Sequence, residues 1–192
     1  MPPSSRLFAA ATSCLIIIDV QHGFLASAPP AARDDIAARI AWLARAARHL
    51  HIPTLVTLEE EAANGPLLPA VAAAVAGAPV FDKWSFGLAG QNDILTAVRA
   101  TGRSHCVLVG METDVCVAQS ALGLLDQGFA VAAVIDACFS PPPFHAAGLD
   151  RMQAAGTALL TSKALLFEWA ATLPLHLRLK AELGPPPPGV TF

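Results

Sequence analysis

The sequence predicts an open α/β sheet of roughly six parallel strands with helices on both faces. Three observations predict it. Short apolar runs alternate with segments of helical period, the pattern of repeated βαβ units. Leu15-Ile16-Ile17-Ile18 is apolar without a break, as a buried strand would be. The chain has 192 residues, 54% hydrophobic and 14% charged, which suits one domain with a sizeable core and excludes a disordered chain.

The first strand is expected over Cys14 to Val20. Ala31 to Leu50 follows as a helix, because Ile36, Ile40, Leu43, Ala47 and Leu50 fall on one face. A second strand, Ile52 to Leu58, carries Pro53 near its start, where proline is tolerated. Leu67 to Ala76 reads as a short helix and Pro79 to Phe81 as a brief third strand. Asn92 to Ala100 is helical and stops at Thr101-Gly102. His105 to Val109 is the fourth strand, followed by Gly110. Asp114 to Gln127 is a helix closed by Gly128, a residue suited to the left-handed position after a helix. Phe129 to Ile135 is the fifth strand, His145 to Ala155 a helix closed by Gly156, and Thr157 to Thr161 the sixth strand. Ser162 is placed to cap a last helix running through Trp169. Beyond Leu183, the stretch from Gly184 to Gly189 with its four prolines can be neither helix nor strand. It reads as a polyproline-type tail, either a mobile end or an arm packed on a neighbouring subunit. The expected organisation is one domain over 1–183 and a tail over 184–192, with no internal repeat.

Composition narrows the function. A formal net charge of −3 argues against nucleic acid, which calls for a concentrated basic surface. The apolar run Cys14 to Ile18 is far shorter than the roughly 20 residues that span a bilayer. Arg6 and the following Leu7-Phe8-Ala9-Ala10-Ala11 faintly resemble a secretion signal, but Asp19 interrupts the apolar stretch. A cytoplasmic protein is expected, with no membrane partner. Few charges and a large apolar fraction suggest a homo-oligomer whose interface hides apolar surface. The four cysteines form no C-x-x-C and no zinc spacing, and Cys14, Cys106 and Cys138 read as small core residues.

In open α/β sheets the ligand sits beyond the carboxyl ends of the strands. Three reactive groups fall there: Asp19 ends the first strand, Lys83 follows the third and Cys116 follows the fourth. Cys116 lies just inside a helix start, where the helix dipole favours thiolate and backbone N–H groups can hold an oxyanion. It could equally pack its helix on the sheet. Asp19 would cost energy at the end of a buried strand unless paired, and could take the thiol proton or merely cap the turn. Lys83 stands among Phe81, Trp84 and Phe86, where it could lower the thiol pKa or simply pair with Asp82. Glu59-Glu60-Glu61 reads as a solvated acidic loop with no histidine beside it, so no metal site or other cofactor is expected. Neither a phosphate loop nor a Gly-x-Ser-x-Gly elbow is present.

Leu15-Ile16-Ile17-Ile18-Asp19-Val20-Gln21 with Phe24, and Gly110-Met111-Glu112-Thr113-Asp114-Val115-Cys116-Val117, resemble two motifs of the isochorismatase-like cysteine hydrolases. Val134 to Cys138 and Asp150 to Gly156 resemble further segments, and the likeness extends over about residues 12–172. The resemblance implies a three-layer α/β/α sandwich with a mostly parallel six-stranded sheet. It implies an Asp-Lys-Cys triad on Asp19, Lys83 and Cys116, with Asp19 as base and Cys116 as nucleophile. It also implies a cis peptide at Met111–Glu112, which would aim the N–H groups of Glu112 and Cys116 at an oxyanion. Nicotinamidases of that family carry an Asp and two His after the second strand to bind a metal. Thr57 to Glu61 holds no histidine, so the chain is similar to the metal-free members of unassigned substrate, which form dimers to octamers. The expected activity is cleavage of a small non-peptide amide through a thioester, with Phe24, Trp84 and Phe86 walling the pocket. Vinyl-ether cleavage of an isochorismate-like substrate and a non-catalytic assembly or ligand-binding protein are the rival readings.

Overall fold

The computed structural model describes residues 6–26 and 28–191. Six strands form one sheet: β1 (Ser13–Ile18), β2 (Thr54–Glu59), β3 (Val80–Lys83), β4 (His105–Met111), β5 (Ala130–Phe139) and β6 (Ala158–Leu160). They pair in parallel in the order β3-β2-β1-β4-β5-β6. The order reverses between β1 and β4. Such a switch point leaves a crevice beyond the carboxyl ends of the strands, because the flanking connections leave on opposite sides.

Helices cover both faces. They are α1 (His22–Leu25), α2 (Pro30–His49), α3 (Glu61–Asn64), α4 (Pro69–Ala74), α5 (Asn92–Ala100), α6 (Ala118–Asp126), α7 (Phe144–Ala154), α8 (Ser162–Ala170) and α9 (Leu173–Leu183). Successive strand side chains point to opposite faces, so each strand feeds two cores. Leu15, Ile17, Val56, Val107 and Val109 pack with α2, α4, α8 and α9. Ile16, Ile18, Leu55, Cys106 and Leu108 pack with α5, α6 and Met152 of α7. Each fully buried Leu or Ile contributes about 1.5–3 kcal/mol of transfer free energy, which makes the double-sided strands the main source of stability. The result is the three-layer α/β/α sandwich. None of the helices among the described residues is long and apolar enough to cross a membrane.

The structure moves several boundaries. β1 stops at Ile18, because Asp19 adopts φ 51 and turns the chain out of the sheet. β2 runs on through Glu59 and β3 through Lys83, since Leu58 and Glu59 pair with Asp82 and Lys83. β5 runs to Phe139 through an irregularity opposite Leu108 to Gly110. The helix expected over Asp114–Gln127 opens with a wide π-type turn, Thr113–Val117, before α6. Ser162 is not the cap of α8. Thr161 Oγ1 accepts the Ala164 N–H at 3.1 Å, and Ser162 instead gives its N–H and hydroxyl to Asp136, both at 2.7 Å. α9 was not expected at all. Thr172 Oγ1 caps it, and His176, Leu179 and Leu183 are its buried positions.

The described part of the proline tail lies against the body of its own chain. Arg39 of α2 donates to the Pro188 carbonyl at 2.6 Å and to the Asp136 carbonyl at 2.7 Å. Val190 is buried in the same core as α2, and Lys163 Nζ donates to Thr191 Oγ1 at 3.1 Å. Four prolines lower the entropy cost of holding this extended segment against the body.

At Gly110 the backbone of β4 runs tight against that of β1. Its φ is +125, and a Cβ there would sit 1.9 Å from the Ile18 carbonyl oxygen. Gly110→Ala is therefore expected to cost about 3 kcal/mol or more, because both the backbone dihedral and the strand spacing must give. A chemical-denaturation midpoint measured at unchanged m-value checks it.

Candidate active site

Four strands deliver four polar side chains to the crevice. Asp19 follows β1, Glu59 ends β2, Lys83 ends β3, and Cys116 stands in the turn after β4. Asp19 and Lys83 are fully buried and Cys116 nearly so. The Lys83 ammonium lies 3.0 Å from Asp19 Oδ2 and 2.9 Å from Glu59 Oε2, and donates to the Ser85 carbonyl at 3.0 Å. Three oxygens thus take its three N–H groups, which a buried ammonium requires. Cys116 Sγ is 3.6 Å from the ammonium and 3.1 Å from Glu59 Oε2. Asp19 is held by the Thr57 hydroxyl, which donates to Oδ1 at 2.8 Å. Reactive atoms of Asp19, Glu59 and Cys116 all lie within 4.8 Å of one another. That spacing would suit a metal ion, but the Lys83 ammonium already bridges the two carboxylates.

The turn that carries Cys116 is pinned from both sides. The Met111–Glu112 peptide is cis. Ser140 donates its hydroxyl to Asp114 Oδ1 at 2.6 Å, and Thr113 Oγ1 lies 2.8 Å from His145 Nδ1. Gly148 lets α7 approach, since a Cβ there would meet the Asp114 Cα at 2.7 Å.

Burial sets the protonation states. It raises the Asp19 carboxyl above the usual range, and the Lys83 charge and hydrogen bonds offset this only in part. For Lys83, burial works against the ammonium, but Asp19, Cys116 and Glu59 together raise its pKa. Cys116 is pushed well up, first by burial and then by the Asp19 charge, with Lys83 pulling the other way. The pull toward thiolate expected from the helix start and the lysine is thus outweighed. Desolvation and two carboxylates outweigh one ammonium, which favours the thiol over the thiolate. A base within reach is then needed for the thiol to attack anything.

Glu59 is the residue that sequence reasoning misplaced. It is not part of a solvated loop. Gln21 is buried and clamps its backbone, accepting from Glu59 N at 2.8 Å and donating to its carbonyl at 3.2 Å. Asn64 Nδ2 donates to the same carbonyl at 2.8 Å. Glu60, at φ 42, then turns the chain away. The available signal was the parallel register of β2 and β3, which sets Glu59 opposite Lys83.

The aromatic residues are distributed differently from the charged ones. Phe24 is half-buried against the α2-side core, whereas Trp84 is 72% and Phe86 56% exposed just beyond Lys83. A cavity of about 550 Å³ lies at the opposite end of the sheet, where Pro53 and Pro79 lead into β2 and β3. It touches none of the four polar groups.

Residues 13–164 match the isochorismatase domain family model. The probable hydrolase YcaC of Escherichia coli is 32% identical over 153 residues, 78% of this chain and 73% of that protein. Its crystal structure, described as an octameric hydrolase of unknown specificity, superposes with a TM-score of 0.85 over 94% of this chain and 90% of that one. YcaC from Pseudomonas aeruginosa, solved with hexane-2,5-diol and covalent acrylamide, is 27% identical with a TM-score of 0.81 over 95% of this chain and 100% of that one. Isochorismatase domain-containing protein 2 of Bos taurus is 33% identical over 135 residues, 70% of this chain and 65% of that protein. By the extent of the domain match and by the fold, the chain belongs to the isochorismatase-like hydrolase family.

Proposed function

We propose that the protein is a cysteine hydrolase that cleaves the C–N bond of a small non-peptide amide. The observation that carries this reading is a buried sulfur within reach of two carboxylates and one ammonium at the switch point of the sheet. Asp19, raised by burial, takes the thiol proton as Cys116 attacks the amide carbon. Lys83 stays charged and stabilises the thiolate. The backbone N–H groups of Glu112 and Cys116 hold the oxyanion. Asp19 returns the proton to the leaving nitrogen, the C–N bond breaks, and an acyl thioester remains. Water then gives a proton to Asp19 and attacks the thioester, releasing the carboxylic acid and restoring the thiol.

The covalent acrylamide held by the Pseudomonas protein supports a reactive nucleophile in this fold. Four free cysteines support a reducing compartment such as the cytoplasm. The octameric neighbour and the exposure of Trp84 and Phe86 support a homo-oligomer in which these rings, with Phe24, wall the substrate pocket. Assay of a panel of primary amides for ammonia release, and of small imides for ring opening, tests the activity. Turnover with an acyl adduct seen by intact mass on Cys116 is the expected result. Turnover without any adduct, or no turnover across the panel, counts against it.

A further inference from the structure

The mechanism above leaves Glu59 without work. Its carboxylate nevertheless touches the sulfur at 3.1 Å and the ammonium at 2.9 Å, while its side chain keeps 21% exposure. Asp19 is fully buried, held by Thr57 and Lys83, and faces the sulfur from inside the site rather than solvent. Glu59 is thus the carboxylate at the sulfur that also faces the open side of the site. Three hydrogen bonds to its backbone fix where it points.

We infer that Glu59 is a further catalytic residue that accepts an N–H of the scissile amide and restricts the substrate to uncharged or cationic N–H-bearing acyl compounds. This rests on the cysteine-hydrolase reading and names its substrate class. An amide at Cys116 presents one oxygen and one nitrogen. A carboxylate repels the developing oxyanion, so the oxygen turns toward the Glu112 and Cys116 N–H groups. The nitrogen then faces Glu59, which needs a donor there. Primary amides and ureido groups supply one, and a tertiary amide does not. The approach is acidic as well. Glu112 is half-buried, and burial together with Asp114 and Glu59 raises its carboxyl pKa, so negative groups crowd the turn around the sulfur. A substrate carrying its own carboxylate beside the scissile bond meets like charge in a partly desolvated site.

Paired alkylating reagents of the two charge types test this without a known substrate. Iodoacetamide and iodoacetate meet the same thiol, so the ratio of their rates at Cys116 cancels the thiolate fraction. The ratio is read by mass spectrometry of the Cys116 peptide, which separates it from buried Cys14, Cys106 and Cys138. In the wild type it should exceed the ratio for N-acetylcysteine about tenfold or more. Glu59→Gln, nearly isosteric, should remove most of that excess, while Glu60→Gln, which deletes the same charge one residue away, should keep it. Thermal unfolding of each variant shows that the fold is kept. With turnover, the wild type should prefer succinamide to succinamate by a similar factor, and Glu59→Gln should narrow the preference. A wild-type ratio equal to the free thiol's overturns the inference. So does a ratio that Glu59→Gln leaves unchanged or that Glu60→Gln lowers as far. If no amide is hydrolysed while the alkylation ratios behave as stated, the hydrolase reading fails and the selectivity of Glu59 stands.

Discussion

Cys116→Ala is expected to lower kcat by about 10⁴-fold or more on any amide that the wild type hydrolyses. Removing the sulfur removes the covalent step, and nothing else at the site replaces it. Asp19 is bound on both oxygens and Glu59 is held by Lys83, so neither is placed to attack a carbonyl. The substitution is sterically mild, because Cys116 is a small side chain at the edge of the apolar α6-side core. The variant should therefore fold and bind substrate, which separates chemistry from stability. Steady-state ammonia release with matched circular dichroism checks it. Retention of activity would instead favour chemistry that needs no nucleophile, such as vinyl-ether cleavage.

Lys83→Met should cost about 3–5 kcal/mol of stability near neutral pH. The side chain is fully buried, and its loss leaves the Asp19 carboxylate unpaired in the same place. The pH dependence has a definite sign. The Asp19 pKa is raised by burial even with Lys83 present, so the folded state binds its proton more tightly than the unfolded state does. A group of that kind loses stability as pH rises through the carboxylate range. Without the ammonium the shift grows, and the deficit of Lys83→Met should widen from pH 4 to pH 8. For the wild type, the raised Lys83 pKa gives a contribution present at neutral pH and lost only as pH rises through an alkaline value above 10.5. Urea melts across pH read both trends. A deficit independent of pH would mean that Lys83 acts by packing alone.

The order of strands and helices is legible in the chain because doubly buried strands must be apolar throughout. Leu15 to Ile18 and Cys106 to Val109 could hardly be anything else. That Asp19, Lys83 and Cys116 share one edge follows from the parallel rule without any distance being known. Glu59 is harder to see, because a glutamate followed by two more reads as solvated unless the register with β3 is in hand. α9 is hidden by its composition. Leu173, Leu175, Leu177 and Leu179 alternate with polar residues as a strand would, and only the Thr172 cap and Pro174 mark a helix start. The thiol's protonation state is not legible either. It depends on how many carboxylates converge and how far water is excluded, and both are properties of the assembled site.

The site joins two stretches of chain that meet only where β1 lies against β4. Asp19, Glu59 and Lys83 precede that seam, and Cys116 follows it. Before the seam closes, the sulfur is an ordinary solvated thiol with no base, no ammonium and no crevice. Reactivity is thus conferred by completed topology rather than carried by any local segment. A newly made or partly unfolded chain carries the thiol but not the base, ammonium and oxyanion donors that would direct it onto a carbonyl.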